Sequence, residues 1–288
     1  MSDKLAVDGG VPVRSRPFPG RKVIGEEERD AVNRLIDKCI KDGSAFDRYS
    51  DSIVDDYEKQ FASYFGTKYA AAVSSGTAAV HSALGALRIE PFSEIISASI
   101  TDPGAVVPIL WMNCIPVFAD VEPDTYNMSA KSVEERITDK TSAIIACHIG
   151  GDPCDMDGIM KVAAKHKIPV IEDCSQSHDS VYKGRKTGTI GDIGVISLMS
   201  GKHHTSGGQG GMVLTNNESI FWNAKRFADR GKPFNSKESS NLFLGINYRM
   251  TSLEAVIGMV QLKKLAGVVS KRRAITDRVK DSIKDLKA

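Results

Sequence analysis

Between residues 69 and 215 the chain repeats short apolar runs of four to seven residues, most of them separated by stretches of helical spacing. The runs fall at 69–73, 94–99, 116–119, 143–147, 169–172, 194–199 and 211–215. None alternates apolar with polar residues. Each therefore reads as a strand covered on both faces, the habit of a mostly parallel sheet. Helical spacing at 77–87, 105–112 and 156–166 supplies the crossovers. This rhythm predicts an α/β three-layer sandwich with a mostly parallel central sheet.

On either side of this region the pattern changes. Residues 1–24 are polar and rich in Gly, Pro and Arg, and read as an irregular N-terminal arm without the apolar stretch of a secretory signal. Two amphipathic helical patterns follow, the second at 53–65. The large α/β domain is expected to span 25–250. Thr251-Ser-Leu-Glu254 has the form of a capping box. It opens a long helix, 251–288, that leads toward an absent or truncated C-terminal domain. The 38 basic residues nearly balance the 36 acidic ones, so overall charge gives no case for nucleic acid or an anionic membrane as partner. No apolar stretch is long enough to span a bilayer. The cysteines number five and form no CxxC pair, which reads as reduced thiols in a cytoplasmic protein without a metal site.

Four stretches follow the expected strands, where open α/β sheets place their ligands. Ser74-Ser-Gly76-Thr77 turns from a strand into a helix, and the free N–H groups of that helix start suit a phosphate. Taken alone, the same residues also suit plain N-capping by Ser75 or Thr77. Val170-Ile-Glu-Asp173-Cys-Ser-Gln176 delivers an acid at a strand end, commonly a cap or a solvated charge. Ser197-Leu-Met-Ser-Gly-Lys202-His203-His204 sets a lysine in a loop rich in Gly and Ser between two buried strands, where desolvation can make an amine nucleophilic. The adjacent histidines lack a third ligand and read as hydrogen-bonding groups rather than a metal site. Leu244-Gly-Ile-Asn247-Tyr-Arg249 precedes the capped helix and by itself reads as an ordinary loop. Together they offer a phosphate cup, a carboxylate for a pyridine nitrogen and a lysine for an aldehyde, the needs of pyridoxal 5'-phosphate (PLP).

With these motifs in order, the chain resembles the DegT/StrS sugar aminotransferases, PLP-dependent enzymes of fold type I. The resemblance includes Pro116-Val-Phe-Ala-Asp120, Cys147-His-Ile-Gly-Gly151, Tyr182-Lys-Gly-Arg-Lys-Thr-Gly188 and Gly210-Gly-Met-Val-Leu-Thr215. It implies that Lys202 forms a Schiff base with the cofactor and shuttles protons, while Asp173 pairs with the pyridine nitrogen. It further implies that Ser197, Gly76 and Thr77 hold the phosphate and that Gln176 lies near the cofactor O3′ edge. Asn247 is implied to reach the phosphate of a neighbouring subunit's cofactor, which makes the protein a homodimer with shared sites. His148 and Asp120 are expected to be structural.

The resemblance breaks at two points. Asp102 stands where the family usually places an aromatic residue that stacks on the pyridine ring; Asp102 and His203 are candidate substrate contacts. The chain also stops at the long helix, where relatives continue. The expected reaction moves an amino group from glutamate or glutamine to a nucleotide-linked keto-sugar or a keto-cyclitol. A catalytically silent PLP-binding dimer is one alternative. A PLP-dependent sugar dehydratase is another, disfavoured because such relatives carry histidine where Lys202 stands.

Overall fold

The computed structural model describes residues 4–286 other than Arg48, Ser50 and Asp51. The arm carries a short 3-10 turn, Ala6–Asp8, and gives way to helices α1 (Glu26–Asp42) and α2 (Ile53–Phe65). The strand–helix succession then runs β1 (Tyr69–Val73), α3 (Gly76–Ala86), β2 (Glu94–Ala98), α4 (Val107–Trp111), β3 (Ile115–Ala119) and α5 (Ala130–Arg136). It continues with β4 (Thr141–Cys147), α6 (Met156–His166), β5 (Val170–Asp173), the short pair β6 (Val181–Tyr182) and β7 (Arg185–Lys186), then β8 (Ile193–Ser197) and β9 (Gly211–Thr215). Helices α7 (Glu218–Phe227) and α8 (Ser252–Ile283) complete it.

Seven strands form one sheet in the order β1-β9-β8-β5-β4-β2-β3. Every pair from β8 to β3 is parallel, and β9 is the antiparallel member, set between β8 and β1. Side chains alternate across this sheet as the pleat requires. Ala71, Val73, Val195 and Val213 enter one apolar cluster with α3, whereas Ala70, Ala72, Ile196 and Met212 enter another with α2 and α8. The expected three-layer α/β sandwich is therefore present. No described helix is long and apolar enough to cross a membrane.

Three features depart from the sequence reading. The helix expected at 105–112 divides into a 3-10 turn, Pro103–Ala105, and the five-residue α4. Prolines occupy the first turn of both pieces, where a missing N–H costs little, and each proline starts a new segment. Helix α5 is only seven residues long, too short to show a clear apolar period. The pair β6–β7 is a hairpin turning on Lys183 (φ 47°) and Gly184 (φ 84°), two successive left-handed residues that give a right-twisting ribbon its tight turn.

Helix α8 starts as expected. Glu254 accepts the Thr251 N–H at 2.7 Å and closes a capping box. The helix packs on α2 through Gly258, where an added Cβ would lie 2.5 Å from the ring of the fully buried Tyr57. The close approach also lets the Gly258 carbonyl sit 2.9 Å from His204 Nε2, which is in turn 3.1 Å from the Tyr57 hydroxyl. Gly258→Val forces this seam apart, and overpacking of this kind costs about 2–3 kcal/mol. A fall in the denaturation midpoint with an unchanged far-ultraviolet dichroism spectrum is the expected result.

Candidate active site

The carboxyl ends of β1, β5 and β8 meet over a cavity of about 190 Å³. Gly76, Thr77, Asp102, Asp173, Gln176, Ser197 and Lys202 all line it, drawn from positions far apart in the chain. Asn247 and His203 do not. Asn247 is exposed and its backbone bridges to Asp229, away from the cavity. His203 lines an adjoining cavity instead.

The floor is built first by steric fit. Gly76 opens α3, and a Cβ there would fall 2.5 Å from the Ser197 Cβ at the end of β8. Ser75 caps the helix, its hydroxyl accepting the Ala78 N–H at 3.0 Å. The N–H groups of Gly76 and Thr77 have no carbonyl to reach within the helix. Ser75 thus caps the helix, and Gly76 and Thr77 line the cavity at its N-terminus.

Asp173 is the last residue of β5, 9% exposed, and one of its carboxylate oxygens accepts the Ser175 N–H at 2.9 Å. The other takes no hydrogen bond among the described residues. Ser175 in turn accepts the Ser197 N–H at 3.1 Å, tying the ends of β5 and β8 together. Burial, and next the nearby Asp173 charge, push the Cys147 thiol well up, so this cavity residue is a neutral wall.

Lys202 sits in the connection between β8 and β9, half-buried, and its amine has no hydrogen bond or ion pair among the described residues. Its backbone is held firmly. The Lys202 N–H donates to the Met199 carbonyl at 2.9 Å, and the Arg21 guanidinium donates to the carbonyls of Gly201 and Lys202, the latter at 2.7 Å. Arg21 lies in the arm, and nothing in its local sequence marks it as a clamp on a loop so distant. Gln176 accepts the Gly150 N–H at 2.9 Å through its side-chain oxygen. Asp102 is exposed and accepts the Gly104 N–H at 2.8 Å, capping the 3-10 turn at the cavity rim.

Beside the cavity lies a buried pair that sequence spacing did not reveal. Glu172 accepts N–H groups from Gly188, Ile190 and Gly191 at 2.9, 2.6 and 2.7 Å. His148 Nδ1 receives the Cys154 N–H at 3.0 Å, so its proton faces Glu172 from Nε2, 3.1 Å away. Burial opposes the Glu172 charge, but the His148 contact and the backbone donors outweigh it and hold the pKa below the ordinary carboxylate value. Cys174 completes a trio with these two at metal-ligand distances. The carboxylate lone pairs and His148 Nδ1 are already committed to hydrogen bonds, so the trio is a structural knot rather than a cation site.

An unpaired lysine, a strand-end carboxylate with an unused oxygen and a helix start that only glycine permits match the aldehyde, ring nitrogen and phosphate of PLP. The fold around them is that of the PLP-dependent aminotransferases. Within that class the chain belongs to the DegT/DnrJ/EryC1/StrS aminotransferase family, matched over residues 24–288. Members of this family use PLP. The chain is 35% identical over 260 residues to a GDP-perosamine synthase of Escherichia coli O157:H7, covering 90% of this chain and 69% of that one. It is 32% identical over 289 residues to a Micromonospora echinospora protein assigned as an L-glutamine:3-amino-2,3-dideoxy-scyllo-inosose aminotransferase, covering 99% and 68%. The crystal structure of an aminotransferase from Psychrobacter cryohalolentis superposes with a TM-score of 0.87 at 35% identity, over 93% of this chain and 69% of that one. The chain thus spans about two thirds of the length of these relatives.

The Glu172 knot has a defined pH signature. A carboxylate whose folded pKa is depressed contributes stability that is complete above its unfolded pKa and is lost as pH falls through the folded value. Glu172→Gln puts an amide NH₂ against backbone donors and is expected to cost about 2–4 kcal/mol at neutral pH. The gap between the two proteins narrows as the pH drops below 4.5, the ordinary glutamate value. Denaturant titrations at a series of pH values measure it; a gap that widens in acid contradicts the assignment.

Proposed function

We propose that this chain transfers an amino group from glutamate or glutamine to the ketone of a nucleotide-linked sugar or a cyclitol. The observation that carries the reading is the unpaired Lys202 amine in the same cavity as the buried Asp173 carboxylate. When bound, PLP supplies an aldehyde that carries the amino group and a ring that accepts the electron pair left on the substrate carbon.

The residues of the chain do the rest. The α3 N-terminus, with Gly76 and Thr77, and the Ser197 hydroxyl hold the phosphate through N–H and O–H donors. Asp173 keeps a proton on the pyridine nitrogen by accepting it in a charge-assisted hydrogen bond. Lys202, with no competing partner, would hold the cofactor at its aldehyde and would carry a proton to and from the substrate α-carbon at Nζ. Gln176 is anchored through its side-chain oxygen to Gly150, and its amide would lie near the cofactor's O3′ edge. Asp102 takes the place of a stacking aromatic, and its capping role fixes the rim. The active form in this reading is a homodimer. The exposed Asn247, lying off its own cavity, reaches the phosphate in the neighbouring subunit.

Both halves of this reading are supported by the relatives named above, one of which has L-glutamine in its assigned name. Mixing the purified protein with PLP is expected to give a visible absorbance band that glutamate or glutamine converts to the ultraviolet band of the aminated cofactor. Lys202→Ala removes the band. Asp173→Asn retains it but slows the donor-driven change at least about a hundredfold, the scale for losing one preorganised electrostatic contact. A band that persists in Lys202→Ala, or that no amino donor converts, argues against the proposal.

A further inference from the structure

The connection between β8 and β9 turns sharply just before its lysine. The Lys202 N–H donates to the Met199 carbonyl at 2.9 Å and closes a four-residue turn, inside which the Gly201 N–H meets the Met199 sulfur at 2.8 Å. Past Lys202 this local bonding stops. The His203 N–H has no backbone hydrogen bond among the described residues.

Arg21 supplies what the turn lacks. One nitrogen of its guanidinium donates to the Gly201 carbonyl, and the other donates to the Lys202 carbonyl at 2.7 Å. These carbonyls belong to the two peptide planes on either side of the Lys202 Cα. A peptide unit is rigid, so the backbone at one residue has only two soft rotations, which set how its two flanking planes are turned. The plane before Lys202 is held at both ends, its N–H by Met199 and its carbonyl by Arg21. The plane after it is held, among the described residues, by Arg21. With both planes fixed, the direction of the Cα–Cβ bond is fixed as well. That bond is the root from which the amine reaches the cavity.

The residue type suits the task. A guanidinium is a planar fork whose N–H groups can meet two carbonyls at once, whereas an ammonium is a point donor on a flexible stem. The arm that carries Arg21 is exposed from residue 11 to residue 22, yet it is tied down directly afterwards. The Val23 carbonyl accepts the side-chain amide of Gln261, a buried residue of α8, at 2.8 Å. Glu28 joins the same knot, accepting the Gln261 amide at 2.7 Å and the Gly25 N–H at 2.8 Å. Arg21 therefore grips the loop from a fixed point two residues away.

We propose that Arg21 is a positioning residue for Lys202, setting both peptide planes around its Cα so that the amine stands where a substrate proton must be moved. The inference rests on the aminotransferase reading, because it takes Lys202 as the group that moves the proton. Holding the cofactor is a covalent task that tolerates a loosely rooted side chain. Moving a proton is not, since it needs hydrogen-bond reach, and a misplacement of about 1 Å can cost about a hundredfold in rate.

The test is the donor-driven change of the Lys202 absorbance band in the PLP-loaded protein, followed with whichever of glutamate and glutamine converts the wild type. Arg21→Ala is expected to keep the band and the melting midpoint but to lower the rate at saturating donor about tenfold or more. The half-saturating donor concentration changes less than about twofold, because a lost positioning contact acts on the chemical step rather than on binding. The isotope effect with α-deuterated donor is expected to be no smaller than in the wild type. Arg21→Lys keeps the charge without the fork and is also expected to be slow. Lys22→Ala removes a neighbouring charge of the arm and leaves the rate within about twofold. The inference is overturned by a wild-type rate in Arg21→Ala or Arg21→Lys, by a loss confined to the half-saturating concentration, by a smaller isotope effect, or by an equal loss in Lys22→Ala. A wild type that forms no band, or whose band no donor converts, fails the underlying reading instead.

Discussion

The Glu172 carboxylate is out of reach of water, yet four donors meet it, three of them backbone N–H groups from one short stretch of chain. That arrangement clamps the turn leading into β8 against the end of β5. A buried carboxylate short of donors would be costly, so the turn has one conformation that satisfies it. The next residue along β5 points to the opposite side, and that residue is Asp173. One side of the strand end is therefore frozen by hydrogen bonds so that the other can present an acid at a fixed place. The adjacent β8, held in register by the same clamp, brings Ser197 against Gly76.

Much of this was legible in the chain because strand and helix periods are local properties. The unalternating runs at 69–73 and 211–215 became β1 and β9 with the expected bounds, and Met156–His166 formed its helix as read. The gathering of Gly76, Thr77, Asp173, Ser197 and Lys202 followed from the rule that strand ends collect ligands. What escaped was contact between distant segments. Arg21 grips the lysine loop from across the sequence, and no local pattern announces it. Glu172 read as one more residue of an apolar strand, and its partners at 188–191 are specified only by the folded turn.

Asp102 stiffens the cavity rim through its own side chain. An aromatic ring there would offer a flat apolar face. The carboxylate instead spends one oxygen on the Gly104 N–H and stiffens the turn that follows. Gly104 is itself constrained, since a Cβ would press on Thr77 Oγ1 at 2.9 Å. The rim therefore lies close against the N-terminus of α3.

The antiparallel placement of β9 bears on the order in which the chain assembles. β8 and β9 are neighbours in sequence as well as in the sheet, so the loop bearing Lys202 closes over a short span at small entropic cost. The cup on α3 reaches its place only when β1 pairs with β9, joining segments from opposite ends of the α/β region. Contacts of such long range form late. The lysine loop can therefore exist in a partly folded chain that still lacks an anion-binding floor. A ligand requiring both therefore recognises completed tertiary structure.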